Sequence, residues 1–170
     1  LMDSGTRVQL RRIALLNFFT DLRFYAPVAV LFYAAVAGSY TVGMLFFSIA
    51  SVSSILVEMP AGVFSDRRGR IATLRLGATS HALSSLLMLS AGTLIDHHAF
   101  ALPLLYASAV FEGAGRALYS GNNDALVHDM IVRGAEDQDT VFAETLSRLK
   151  SMFQFALAIS ALIGDFLTGW

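Results

Sequence analysis

The sequence predicts an all-α integral membrane protein, a bundle of five membrane-spanning helices, on three observations. Of its 170 residues 55% are hydrophobic and only 15% charged, with a mean hydropathy of +0.61; an ordinary soluble domain carries about 25% charged residues. No charged side chain occurs from Phe24 through Val57. The apolar segments are longer than strands and lack period-two alternation, which favours helices over a β-barrel. The same arithmetic excludes other classes. Disorder needs low hydrophobicity and high net charge. With no cysteine there is neither a disulfide scaffold nor a thiolate metal site. A net charge of −1 supplies no basic field for nucleic acid. A soluble helical bundle of this composition would lack a wettable exterior.

The elements follow in order. As one helix, the uncharged stretch from Phe24 to Val57 would run about 51 Å, against a hydrocarbon core of about 30 Å. It must fold back, and Gly38-Ser39-Tyr40-Thr41-Val42-Gly43 supplies the turn. The first span is then about 13–37 and the second about 41–64. The charged cluster Asp66-Arg67-Arg68-Gly69-Arg70 separates the second from a third at about 71–95. Asp96-His97-His98 is a polar turn before a fourth span at about 100–121. Residues 122–145 carry acidic side chains and read as an aqueous loop or amphipathic helix, and a fifth span covers about 146–170.

Of the twelve Lys and Arg residues, all but Arg23 fall at the N-terminus, in the 65–70 loop and its flanks, or around 122–145. The turns at 38–43 and 94–99 have none. This positive-inside pattern puts the N-terminus in the cytoplasm, and the expected location is a plasma membrane of the bacterial inner type.

Ionisable groups within spans are costly and face a bundle interior or a watery cavity. At 1.5 Å per residue, Asp21, Arg23, Glu58 and Glu112 all lie about 12–17 Å from the cytoplasmic side, and Arg116 about 8 Å. Asn17, Asp21 and Tyr25 share one helix face, whereas Arg23 points away from it. Asn17, Asp21, Tyr25, Glu58 and Glu112 are therefore candidates for contact with a solute or a coupling ion. Arg23 and Arg116 are candidates for structural ion pairs, Arg116 with Glu112 at i, i+4. The alternative for every one of these charges is an internal ion pair locking helices together. Small residues such as Ser53, Ser54, Gly62, Gly77, Gly113 and Gly115 let helix backbones approach closely.

Between the second and third spans stands Gly62-Val63-Phe64-Ser65-Asp66-Arg67-Arg68-Gly69-Arg70. It resembles the loop signature of the major facilitator superfamily, G-x-x-x-D-R-x-G-R-R, in position as well as in residues. The final basic position holds Ile71, with Arg75 one turn on. Glu58-Met59-Pro60-Ala61-Gly62 and Glu112-Gly113-Ala114-Gly115-Arg116 are also similar to stretches of such transporters. Ala109 stands where many relatives carry an arginine, and the fifth span lacks the Gly-Pro pair of the family's antiporters.

The resemblance implies a major-facilitator-type bundle, with five helices of a presumed 12-helix fold. Residues 1–12 would form a cytoplasmic segment and 13–170 an incomplete N-terminal half. It also implies alternating-access secondary transport of a small solute, with a proton or cation as the coupling ion. The lipid bilayer and the missing C-terminal half would be partners, and no cofactor or nucleic acid is expected. In that family the loop latches the two halves together, a role that would fall here to Gly62, Asp66, Arg67, Gly69 and Arg70. Asp66 would meet a helix of the other half, and Arg70 an acid near the inner end of span four, Asp124 or Asp129. The alternative is a non-transporting polytopic membrane protein, a receptor or assembly subunit, that reuses the fold.

An enzyme is not expected. Gly164-Asp165 lacks the earlier glycine of membrane aspartyl proteases, because residue 162 is leucine. Ser120-Gly121 lacks the leading glycine of the rhomboid signature, with leucine at 118. The zinc-protease H-E-x-x-H is absent, and His97-His98 has no third ligand nearby.

Overall fold

The computed structural model describes residues 8, 11, 15, 18, 26–132 and 138–168. The described residues are all-helical, without strands, in the order α1 (Ala26–Ala37), α2 (Tyr40–Arg68), α3 (Arg70–Thr93), α4 (His98–Val132) and α5 (Gln138–Thr168). They divide into two compact units. One comprises Ala29–Asn123; the other joins Leu1–Val28 to Asp124–Trp170.

The chain reverses between α1 and α2 at Gly38, whose φ of 69° needs a glycine, and Ser39 starts α2 from an extended conformation. The turn is shorter than the sequence suggested. Gly43 lies inside α2, where a Cβ would stand 2.7 Å from the Tyr33 backbone, so this glycine serves close helix packing. Pro60 is carried inside α2 without a break in the helix. The next reversal takes a single residue: Gly69, at φ 87°, donates its N–H to the Ser65 carbonyl and starts α3. Any other residue is strained there, so Gly69→Ala should cost about 1 kcal/mol, read as a lowered unfolding midpoint. The expected loop over 122–145 is largely helix: α4 runs on to Val132 and α5 begins at Gln138. Few residues from Asn122 to Val132 break helices, and the Asn122 Nδ2 group bonds back to the Leu118 carbonyl at 3.0 Å.

Within Ala29–Asn123, α4 is the central helix. Ala101, Leu105, Ser108 and Ala109 on it are fully buried. Its start is tied to α1 by His98 Nδ1 donating to the Val36 carbonyl at 2.8 Å. Tyr106 donates to the Val42 carbonyl of α2 at 2.9 Å, and Ser53 of α2 to the Val110 carbonyl at 2.7 Å. From α3, Ser84 donates to the Ser108 carbonyl at 2.9 Å. These helix–helix hydrogen bonds exist because the facing residues are small. The Cβ of Ser53 lies 2.8 Å from where one would stand on Gly113, and Gly77 packs on Leu118 and the Gly115 carbonyl. Removing one such hydroxyl, as in Ser53→Ala, should cost about 1 kcal/mol, measurable by denaturant unfolding in micelles. At the α1–α2 end, Tyr33 stacks on Phe46 at 4.2 Å.

The apolar residues are disposed unusually. The interior of this unit is rich in alanine, with Ser53, Ser65, Thr73, Ser84, Ser108, Glu112 and Asn122 also buried, beside a few large side chains, Tyr33, Val36, Phe46, Leu105 and Leu118. Many other large side chains lie outside. On α2, Val52, Ile55, Leu56, Met59 and Val63 are all exposed, Met59 by 81%. At about 100° per residue they form one stripe, about 180° from the buried face of Gly43, Phe46, Ala50 and Ala61. On α3, Leu83, Leu86 and Leu89 are exposed opposite the buried Gly77, Ser84 and Ala91. Among the described residues, α2 is the one helix that by length and composition alone can cross a membrane, and only 22% of its most apolar stretch is buried.

Candidate functional site

Two polar features lie within Ala29–Asn123. The first is a cleft of about 220 Å³ between the C-terminal half of α2, the start of α3 and α4. It is lined by Glu58, Gly62, Ser65, Asp66, Arg70, Ser120 and Asn122, with Ala61 and Ala117 completing the wall. Its shape follows from helical spacing. Glu58, Gly62 and Asp66 recur every four residues and share one side of α2, between the buried face and the exposed apolar stripe. Ala61 and Ser65, both buried, lie beside them. Arg70 arrives because Gly69 turns the chain within one residue. Much of the signature loop is thus gathered into one cleft, with Asp66 in the last turn of α2 and Arg70 opening α3.

One expectation about this loop changes. Gly62 does not receive another helix among the described residues: nothing lies within 4 Å of where its Cβ would stand, and its missing side chain leaves the cleft open. Gly69 is the N-cap of α3, and no side chain bonds there. Arg67 is exposed and does not line the cleft, and together with Arg68 it ends α2, where positive charge complements the helix dipole. Arg75 is also exposed.

The second feature is Glu112, buried on α4. Its Oε2 lies 3.0 Å from Nδ1 of His81 on α3, and its Oε1 lies 3.8 Å from Nη2 of Arg116 one turn along. The expected i, i+4 pair with Arg116 therefore forms, but His81 is the closer partner and joins two helices. Gly115 makes the arrangement possible. A Cβ there would meet the His81 ring at 2.9 Å, so the glycine is a slot for the imidazole.

Glu58 and Glu112 are not brought to one site. Glu58 is exposed at the cleft, whereas Glu112 is buried and does not line it. Asn17, Asp21, Arg23 and Tyr25 lie outside the described residues. Of the two acids considered for Arg70, Asp124 and Asp129 both belong to the other compact unit, and the side chain of Asp124 lies outside the described set.

Sequence reading missed His81. The available signal was its register: Gly77, His81 and Ser84 fall on the α3 face whose other members are small, so a histidine there points at a neighbouring helix. No group of three metal-ligating side chains occurs among the described residues. Comparison with protein-family models, curated proteins and solved structures returns no match.

Proposed function

We propose that this chain is a membrane-spanning portion of a secondary transporter of major-facilitator type, which carries a small solute by alternating access. The observation that supports the membrane reading is the inverted distribution of side chains. Small and polar residues make up most of the interior while a stripe of Val, Ile, Leu and Met faces outward. A soluble helix buries such a stripe; in a bilayer the lipid tails receive it, and small residues bring the helices together. The exposure of most of α2 separates it from the core helix of a soluble protein.

Transport is supported by the signature loop and its cleft. Glu58, Asp66 and Arg70 project around an open space kept free by Gly62. By resemblance to the major facilitator superfamily, that space receives a helix of the opposite half in one state of the cycle. Asp66 there would face the positive end of that helix, and Arg70 would fix a carboxylate. The N-terminus and the 65–70 loop are then cytoplasmic, in a membrane of the bacterial inner type.

The experiment is uptake of labelled solutes by the full-length protein in proteoliposomes, wild type against Gly62→Leu. Wild-type protein should accumulate one solute class. Gly62→Leu fills the cleft and should lower the uptake rate about tenfold or more, about 1.4 kcal/mol on the barrier, while the protein still folds. Failure of the wild type across a broad solute panel would instead favour a non-transporting membrane protein built on the same fold.

A further inference from the structure

Arg67, Arg68 and Arg75 of the α2–α3 hairpin are exposed, stand outside the cleft and form no ion pair among the described residues. Two of them hold a particular register. On α3, Arg75, Thr79, Ala82, Leu86 and Leu89 are spaced by four and three residues in alternation, so they fall on one line. All five are exposed, about 180° around the helix from the buried Gly77, Ser84 and Ala91. On α2, Leu56, Pro60, Val63 and Arg67 form a second exposed line, spaced by four, three and four. It runs on the side of the helix away from Glu58 and Gly62. Each outward line therefore meets one arginine toward the cytoplasm, and neither carries a carboxylate.

Depth decides what such an arginine can meet. Arg75 stands five residues into α3, about 8 Å along the axis from Arg70, and Ile71 is exposed one turn nearer the cytoplasm. A guanidinium is always charged, and on a face turned to lipid it is costly without an anion. Its stem lies along apolar surface while its head reaches the headgroup layer. The anion there is phospholipid phosphate, whose oxygens match the planar fork of arginine. The acyl chains of the same lipid lie against the leucine and valine side chains of the line. One phospholipid thus satisfies both the charged and the apolar part of each line.

We propose that the outward side of the α2–α3 hairpin binds anionic phospholipid of the cytoplasmic leaflet, with Arg75 and Arg67 as the headgroup contacts. A headgroup of net negative charge is preferred to a zwitterionic one, in which a built-in ammonium competes with the arginine for the phosphate. The inference rests on the membrane reading of the chain and not on transport.

Full-length protein is assembled into nanodiscs of equal phosphatidylglycerol and phosphatidylcholine, and the lipids retained on release are identified by native mass spectrometry. Phosphatidylglycerol should be retained in excess. Arg75→Gln and Arg67→Gln should each lower that preference about fivefold, and Arg75→Lys, which keeps the charge, should keep most of it. Arg68→Gln is the control. It removes an equal charge from the same turn, but Arg68 lies about 100° around α2 from Arg67, off the apolar line, and the preference should survive. No preference in the wild type, the result if another helix rather than lipid covers these lines, overturns the proposal. An equal loss in Arg68→Gln and Arg75→Gln also overturns it, because it marks a general attraction to the basic end of the hairpin. Both of those results leave the membrane reading standing. Protein that does not enter nanodiscs removes the membrane reading and the lipid site together.

Discussion

Gly113→Ala is expected to destabilise the α1–α4 unit by about 3 kcal/mol, at the upper end for an added methyl group in a packed interior. The cause is the identity of the obstructing atoms. The new Cβ would run into the Ala50 carbonyl oxygen and come within 2.9 Å of the Ser54 backbone nitrogen. A flexible side chain could swing aside, but helix backbone cannot, so α2 and α4 would have to separate. That separation would also stretch the Ser53–Val110 hydrogen bond, now 2.7 Å. Gly62→Ala is the control. It lies in the same helix bundle and also inside a helix, but nothing stands within 4 Å of its Cβ position. It should stabilise by about 0.5–1 kcal/mol through helix propensity alone. Denaturant unfolding in micelles reads both variants; equal effects would mean that α2 and α4 are not in backbone contact.

His81→Ala carries the second large effect, about 3 kcal/mol destabilising. It removes the nearer of the two described partners of this buried carboxylate; the other, the Arg116 guanidinium at 3.8 Å, sits on a half-exposed side chain. It also empties the Gly115 slot. A double-mutant cycle with Glu112→Gln isolates the pair from the void and should give a coupling energy of about 2 kcal/mol. By contrast, the exposed Glu144–Arg148 pair on α5 should show little coupling, because water screens both partners.

The helical class was readable because charge-free stretches are long and the breaks are chemically obvious. Gly69 and the turn at Gly38 were both visible as glycines among helix formers, and each adopts a positive φ. The ends of α2 and α3 fall close to the expected segments, since Asp66–Arg70 and Asp96-His97-His98 interrupt the apolar run. The end of α4 was not readable. Polar residues mark where an apolar span stops, but they do not stop a helix, so α4 continues to Val132.

The site was half legible. The loop signature pointed to Gly62, Asp66, Arg67, Gly69 and Arg70, of which Gly62, Asp66 and Arg70 share a cleft with Glu58. Counting depth along separate helices also puts Glu58 and Glu112 at one level. Depth carries no information about rotation, and the two residues face different ways. For the same reason His81 was overlooked: a partner on another helix leaves no mark at a fixed sequence spacing. The packing role of Gly43 was hidden too, since a glycine near a turn reads as part of it.

The central claim is that the outward-facing apolar stripes lie in a bilayer with the 65–70 loop inside and the 94–97 turn outside. The chain has no cysteine, and both Arg68 and Asp96 are exposed, so single-cysteine labelling tests it without background. In intact spheroplasts, a membrane-impermeant maleimide should modify Asp96→Cys, while Arg68→Cys should react only after the membrane is opened. Equal labelling of both positions in intact spheroplasts, or recovery of the protein from the soluble fraction, would contradict the account.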